Sequence, residues 1–313
     1  MNNPISRRTL VTTGAALTAL GGLQSAEAKS DEFTFVHITD LHIQPELGAS
    51  LGVAKAFDAI HALPKKPDFA LIGGDLVMDA AKVTPQRADA VYDLWQTAAN
   101  NLALPMHFTI GNHDVYGLGE AATDSAKTMA NPDFGKAIWK RRLNLTRTYD
   151  TFDHKGWRFV TLDSLAVGPD GTWGGNLDDD QLKWLDDLLR HTPKTMPVIL
   201  LTHIPILTIF GQYTQGTTDA VPAQLIVKNG KTLQEMIQGR NVKAVFQGHT
   251  HVVEECSYLG TKYITGGAIC GDWWKGPRLG VHPEGFTVVT VKDGEVNWRY
   301  VPYGWDAAKY KTG

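Results

Sequence analysis

One pattern constrains this chain more than any other, and it occurs five times. A short apolar run rich in β-branched and aromatic residues ends, and a carboxylate, asparagine or histidine follows within a few residues. Phe33 to Thr39 runs into Asp40-Leu41-His42, Pro67 to Ile72 into Gly73-Gly74-Asp75, and Met106 to Ile110 into Gly111-Asn112-His113-Asp114. Pro197 to Thr202 runs into His203, and Val242 to Gln247 into Gly248-His249-Thr250-His251. Runs of this length and composition are strands of a sheet covered on both faces. In such folds functional groups gather beyond the carboxyl ends of the strands, where all five polar clusters fall.

Helical periodicity occupies the intervals. Leu51 to Leu63 places Val53, Ala56, Phe57 and Ile60 on one side and stops at Pro64. Gln86 to Asn101 repeats the pattern, and Leu225 to Ile237 gives a further helix. Asp178 to Arg190 opens with three aspartates, where the helix dipole favours negative charge, and carries Leu182, Leu185, Leu188 and Leu189 on one side. Strands alternating with helices predict one large α/β domain. Hairpin patterns from Thr148 onward, the last turned by Lys292-Asp293-Gly294, predict an added and more antiparallel sheet in the second half. Residues 115–147 read as an insertion over the site.

The chain has 313 residues, 43% of them hydrophobic and 20% charged, with a formal net charge of −3. That is an ordinary globular composition, and its longest basic run is Lys140-Arg141-Arg142. A basic groove for nucleic acid is not expected. Residues 1–28 read as a twin-arginine signal peptide: Ser6-Arg7-Arg8-Thr9-Leu10, a weakly apolar stretch to Leu23, then Ala26-Glu27-Ala28 as the cleavage site. The alternative is a retained N-terminal anchor, but the stretch is short for a membrane span and rich in Gly and Thr. The expectation is a catalytic domain over 29–313, periplasmic or secreted, with no membrane span after cleavage. The twin-arginine route carries folded proteins, which suits one that acquires metal before export. Whether Cys256 and Cys270 then pair or stay as buried thiols is open from sequence.

The donors collected at the strand ends are carboxylate oxygens, imidazole nitrogens and one amide oxygen, without a thiolate. Such a set suits Mn, Fe, Zn or Co, and its histidine content disfavours Mg. In Asp40-x-His42 and His249-x-His251 the side chains stand at i and i+2, so on extended backbone they leave the same face. Two such groups can serve one ion, or two ions about 3.5 to 4 Å apart. Asp75, with two oxygens beside two glycines, is the candidate bridge.

Asp40-x-His42, Gly74-Asp75, Gly111-Asn112-His113-Asp114, His203 and Gly248-His249-x-His251, in this order, resemble the calcineurin-like metallophosphoesterases, most closely the bacterial branch that includes class III cyclic-nucleotide phosphodiesterases. The resemblance implies a four-layer α/β/β/α sandwich, two mixed sheets flanked by helices, with a di-metal site at the strand ends. It implies that Asp40, His42, Asp75 and His251 hold one metal and that Asp75, Asn112, His203 and His249 hold the other. His113 would contact the phosphate or protonate the leaving oxygen, with Asp114 orienting it. The cofactors would be two divalent or mixed-valence ions (Mn, Fe or Zn), activating a bridging hydroxide for attack on a small-molecule phosphodiester. Met78 stands where purple acid phosphatases place a tyrosine ligand, which argues against a tyrosinate-iron centre.

A phosphomonoesterase acting on a small or lipid-linked phosphate, and a non-catalytic metal-dependent binder of a phosphate ligand, are the competing expectations. A nuclease is disfavoured by the missing basic groove. His37 reads as a core histidine behind the ligands; His61, His107, His154, His191 and His282 read as structural or solvated. Ser164, outside any G-x-S-x-G context, reads as part of a turn. Trp273-Trp274 is balanced between packing and stacking on a substrate ring.

Overall fold

The computed structural model describes residues 32–119 and 125–310. The signal-peptide expectation for 1–28 therefore lies outside the described residues. Among the described residues thirteen strands follow in chain order: β1 (Phe33–Ile38), β2 (Ala70–Ile72), β3 (Met106–Phe108), β4 (Asp150–His154), β5 (Trp157–Thr161), β6 (Leu165–Val167), β7 (Trp173–Gly175), β8 (Val198–Leu201), β9 (Val242–Gln247), β10 (Val253–Tyr258), β11 (Thr261–Gly266), β12 (Gly285–Lys292) and β13 (Glu295–Pro302). Between them lie α1 (Ala49–His61), α2 (Pro85–Leu102), α3 (Ser125–Met129), α4 (Ala137–Leu143), α5 (Asp179–His191), α6 (Phe210–Thr214) and α7 (Gly230–Ile237). Among the described residues no helix is long and apolar enough to cross a membrane.

Two large mixed sheets result. The first runs β13-β12-β1-β2-β3, with β1 to β3 parallel and β12 and β13 antiparallel beside them. The second runs β10-β11-β9-β8-β5-β4, parallel through its four central strands and antiparallel at both edges. This corrects the expectation that antiparallel pairing gathers in a sheet of the second half. The β12–β13 hairpin instead crosses back to pair with β1, in the register Phe33 to Val291. A hairpin pattern specifies its own turn but not the sheet edge that receives it.

The strand period of two sorts the core. Phe33 and Phe35 point between the sheets, where they meet Phe69, Phe159, Phe246 and Ile264. The Phe35 ring lies 5.6 Å from those of both Phe159 and Phe246. Val36 and Ile38 point the other way, into a second core shared with Val53 and Phe57 of α1 and Val91 and Trp95 of α2. Val160 and Leu200 of the second sheet meet Leu185, Leu189, Leu233 and Ile237 of α5 and α7 in that core too. Helix, sheet, sheet, helix is the four-layer sandwich.

The helices begin where their caps dictate. Thr84 accepts from Arg87 N and Pro85 opens α2. Asp178 caps α5, accepting from Gln181 N at 2.7 Å, so two of the three aspartates remain for the first turn. Helix α7 starts at Gly230, five residues later than the periodicity predicts from Leu225. The intervening backbone turns instead of coiling, with Val227 bridged to Gly175 and Asn229 exchanging two hydrogen bonds with Leu177. Tertiary pairing outweighs helical pattern there.

The 115–147 segment is fastened to α2 more than it covers the site. Trp139 of α4 is buried in the core, and Arg141 and Arg142 ion-pair with Asp89, Asp93 and Asp133. It also reaches the β6–β7 hairpin, through Gly119 N to the Gly171 carbonyl and Lys136 Nζ to the Leu165 carbonyl. Both cysteines are free thiols: Cys256 lies 3.2 Å from a Glu254 oxygen, and Cys270 is buried.

Candidate metal centre

The carboxyl ends of β1, β2 and β3 from one sheet and β8 and β9 from the other converge on one spot. All seven expected ligands sit there, and their atoms separate into two groups that share one oxygen. His42 Nε2 lies 3.5 Å from Asp75 Oδ2 and 3.1 Å from His251 Nε2. His251 Nε2 is 3.3 Å from Asp40 Oδ1. On the other side His203 Nε2 lies 3.2 Å from the same Asp75 Oδ2, 3.3 Å from Asn112 Oδ1 and 3.2 Å from His249 Nδ1. Asp75 Oδ2 is the common member of the two groups. Its other oxygen accepts from His113 N at 2.8 Å, which fixes the carboxylate's rotation.

For two of the rings, His203 and His251, partners on the far side fix which nitrogen points inward. His203 Nδ1 donates to the Gly73 carbonyl at 2.8 Å and His251 Nδ1 to the Gly271 carbonyl at 2.6 Å. With those protons placed, Nε2 of both rings faces the centre, the nitrogen a metal ion would take in place of a proton. Asp40 is held by Thr39 Oγ1 at 2.7 Å and by His249 N at 3.0 Å. A Cβ on Gly248 would lie 2.2 Å from Thr39 Oγ1 and 2.7 Å from Asp40 Oδ2, so only glycine lets the His249 loop close on Asp40.

The i, i+2 geometry differs from the extended backbone expected. Asp40, His42, Asp75, His249 and His251 all have left-handed φ, between 44° and 72°. For non-glycine residues this conformation costs free energy, and it persists where surrounding contacts over-determine it, typically at functional sites. The pairs converge because both members turn back after the strand ends.

Burial pushes His249 down to about 4, helped by neighbouring His203, and pushes His42 well below its ordinary value, so both rings are neutral donors. Burial alone would raise Asp40, yet His251 and His203 together outweigh it and hold the carboxyl at about 2. Burial alone would lower His203 and His251, yet Asp75 outweighs it and pushes His203 up to about 9, and Cys270 and Asp40 push His251 well above its ordinary value, so protons offset two buried carboxylates that have no lysine or arginine beside them. Such an array is stabilised by cations, and its oxygen and nitrogen donors fit two divalent ions sharing Asp75. Cys270 Sγ approaches His251 from behind, 3.7 Å from Nδ1, with its thiol pKa raised by burial, so it stands outside the donor set.

His113 is partly exposed at the centre's edge, its ring 4.6 Å from that of His42. The carboxylate facing it is not the expected one. Both oxygens of Asp114 turn to backbone N–H groups, of Gly111 at 2.9 Å, Asp75 at 3.0 Å and Leu76 at 2.7 Å. Asp114 thus ties the β2 and β3 termini together. Asp79 Oδ2 lies 3.5 Å from His113 Nδ1, and the Ala80 N to His113 carbonyl bond brings the two loops together. Sequence reading missed Asp79 because it belongs to a loop 34 positions earlier with no motif of its own.

Other residues settle as follows. His37 is fully buried between the sheets, 5.3 Å from the Phe246 ring, with a pKa pushed by burial down to about 3. It is a core residue. Ser164 supports the site: its Oγ accepts from His203 N at 3.2 Å and Ile204 N at 2.9 Å. His61, His154 and His191 bond the Leu102 carbonyl, Asp68 and the Asp187 carbonyl, and His282 accepts from Val253 N. The two tryptophans divide: Trp274 is buried and donates to the His42 carbonyl, whereas Trp273 lies beside the His251 and His42 rings.

A sandwich of two mixed sheets carrying this donor set at its strand ends defines a metal-dependent phosphoric ester hydrolase. The model of the calcineurin-like phosphoesterase family matches residues 33–253, and the chain belongs to that family, whose members depend on two metals. It is 23% identical over 260 residues to a probable cyclic nucleotide phosphodiesterase of Rhodococcus erythropolis, covering 79% of this chain and 74% of that one. It is 28% identical over 249 residues to the serine/threonine-protein phosphatase CPPED1 of Mus musculus, covering 79% and 71%. Its fold is also that of a dimetal phosphatase from Danio rerio, with a TM-score of 0.58 and 15% identity over 87% of this chain and 99% of that one.

Proposed function

We propose that this chain is an exported hydrolase of small phosphodiesters that works with two metal ions sharing Asp75. The observation that carries the reading is the single oxygen, Asp75 Oδ2, common to two donor groups beside a partly exposed histidine. Metals held there would supply positive charge for phosphate oxygens and make a water nucleophilic at neutral pH. The chain's own residues do the rest. Asp40, His42 and His251 would hold one metal, and Asn112, His203 and His249 the other. His113 has Nδ1 toward Asp79, which leaves Nε2 to carry a proton to the leaving oxygen. General-acid help of this kind contributes about 10²- to 10⁴-fold.

A binding protein needs no proton donor at the rim, so His113 favours catalysis. The preference for diesters is supported by the similarity to proteins named cyclic nucleotide phosphodiesterases; export is supported by the Arg7-Arg8 pattern and Ala26-Glu27-Ala28. Turnover of bis-p-nitrophenyl phosphate and p-nitrophenyl phosphate by Mn-loaded protein tests the first part. Faster diester hydrolysis is expected; faster monoester hydrolysis selects the phosphomonoesterase reading. A metal-loaded, folded protein inert to both, to cyclic nucleotides and to phospholipid headgroups leaves only the binding reading. Cell fractionation of the full chain, with Arg7 and Arg8 replaced by lysine as the control, tests export.

A further inference from the structure

We infer that Trp273 is the wall against which the leaving group rests, and that this subsite selects alcohols bearing a planar ring; the inference rests on the hydrolase reading above. His42 is the common neighbour. Its ring meets His113 edge to face at 4.6 Å and Trp273 at 6.3 Å, and the indole lies 4.9 Å from the His251 ring. An oxygen that takes its proton from His113 therefore has the indole as the next surface beside the same metal position.

Burial in the core is the default fate of a tryptophan, and here the adjacent Trp274 takes it. Trp274 packs so closely on α1 that a Cβ on Gly52 would lie 2.1 Å from it, and its N–H is satisfied by the His42 carbonyl. Trp273 stays half-buried, and both residues hold left-handed φ, 49° and 69°, which bulky residues rarely do. Arg278 lies over the indole, its guanidinium 5.0 Å from the ring centre. That arginine is itself tied to Asp272 at 2.8 Å and to the Thr250 carbonyl at 3.3 Å. A strained backbone and an anchored cation thus hold a partly exposed indole at the edge of the donor cluster. Such a face attracts another ring by stacking without reading its hydrogen-bonding pattern, so the class it favours is aryl or nucleobase-bearing.

The test compares two phosphodiesters that differ only in the alcohol released: a phenol, and a fluorinated alkyl alcohol of matched acidity. Metal-loaded wild type, Trp273→Ala and Trp273→Phe are assayed on both, with metal content as the check on folding. Trp273→Ala is expected to reduce the aryl-over-fluoroalkyl ratio of kcat/KM by about tenfold, the usual size of a lost stacking contact, mainly through KM. Trp273→Phe is expected to keep most of the ratio. A wild type that hydrolyses both, with the ratio unchanged in Trp273→Ala, overturns the subsite alone. A wild type that hydrolyses neither overturns the subsite, and one inert also to p-nitrophenyl phosphate, cyclic nucleotides and phospholipid headgroups overturns the hydrolase reading with it.

Discussion

Asp79, and not the sequence neighbour Asp114, is the carboxylate that faces His113, with Oδ2 3.5 Å from Nδ1. A carboxylate there orients the ring and, with Asp75, outweighs burial to favour its doubly protonated form, so that Nε2 still has a proton to give while Nδ1–H faces Asp79. Asp79→Asn is expected to lower kcat about 10- to 100-fold, part of the full general-acid contribution, with little change in KM or metal content. Asp79→Glu should recover some of the loss. Steady-state kinetics with metal analysis decide the matter: an unchanged kcat returns the role to another group.

Asp114 has a structural task with a different signature. Its three accepted N–H groups are buried, and leaving such donors unpaired costs about 1 to 3 kcal/mol each. Asp114→Ala should therefore destabilise the protein by at least about 3 kcal/mol and lower metal occupancy, because the donors of Asp75 and Asn112 lose their common tie. Urea denaturation reads the first effect and metal analysis the second. Asp79→Asn, by contrast, should leave both near wild type.

Gly52 sits inside α1, where alanine would ordinarily stabilise the helix by about 1 kcal/mol. The Trp274 ring occupies the space a Cβ needs. Gly52→Ala should therefore destabilise by about 1 to 3 kcal/mol, the range for overpacking, and thermal unfolding shows the sign directly.

His107 makes stability pH-dependent away from the metals. Its ring stacks on Phe152 at 3.3 Å, and burial, with a smaller contribution from His154, holds its pKa at about 4 against the nearby Asp150. The folded state keeps it neutral while the unfolded chain protonates it near 6.5. Its contribution is therefore fully present above about pH 6.5 and is lost as pH falls toward 4. His107→Phe keeps the stack and removes the titration, so its urea midpoint should gain on wild type through that window. A constant difference between the two proteins would contradict this.

Much of the site was legible in the sequence because its signals are local. Each strand announces itself by a short apolar run and each donor follows directly, so all seven expected ligands meet. What the sequence could not show depends on distant chain segments. Asp79 reaches His113 only because the loop after β2 folds against the loop after β3. The β12–β13 hairpin is readable as a hairpin, but its place beside β1 is set by the sandwich. The i, i+2 pairs suggested extended backbone, whereas left-handed turns at Asp40, His42, His249 and His251 make the convergence. Trp273 and Trp274 are identical neighbours, and only the space beside Gly52 decides which is core.

The central claim, two metals bridged by Asp75 and needed for hydrolysis, is tested most directly by one titration. Metal-stripped protein receives Mn in steps while bound metal per chain and bis-p-nitrophenyl phosphate turnover are followed in the same sample, for wild type and Asp75→Asn. Saturation is expected at two ions per wild-type chain, with activity that rises with the second, and both are expected to be lost in Asp75→Asn. Turnover that survives in metal-stripped protein, or that saturates with the first ion and persists in Asp75→Asn, would contradict it.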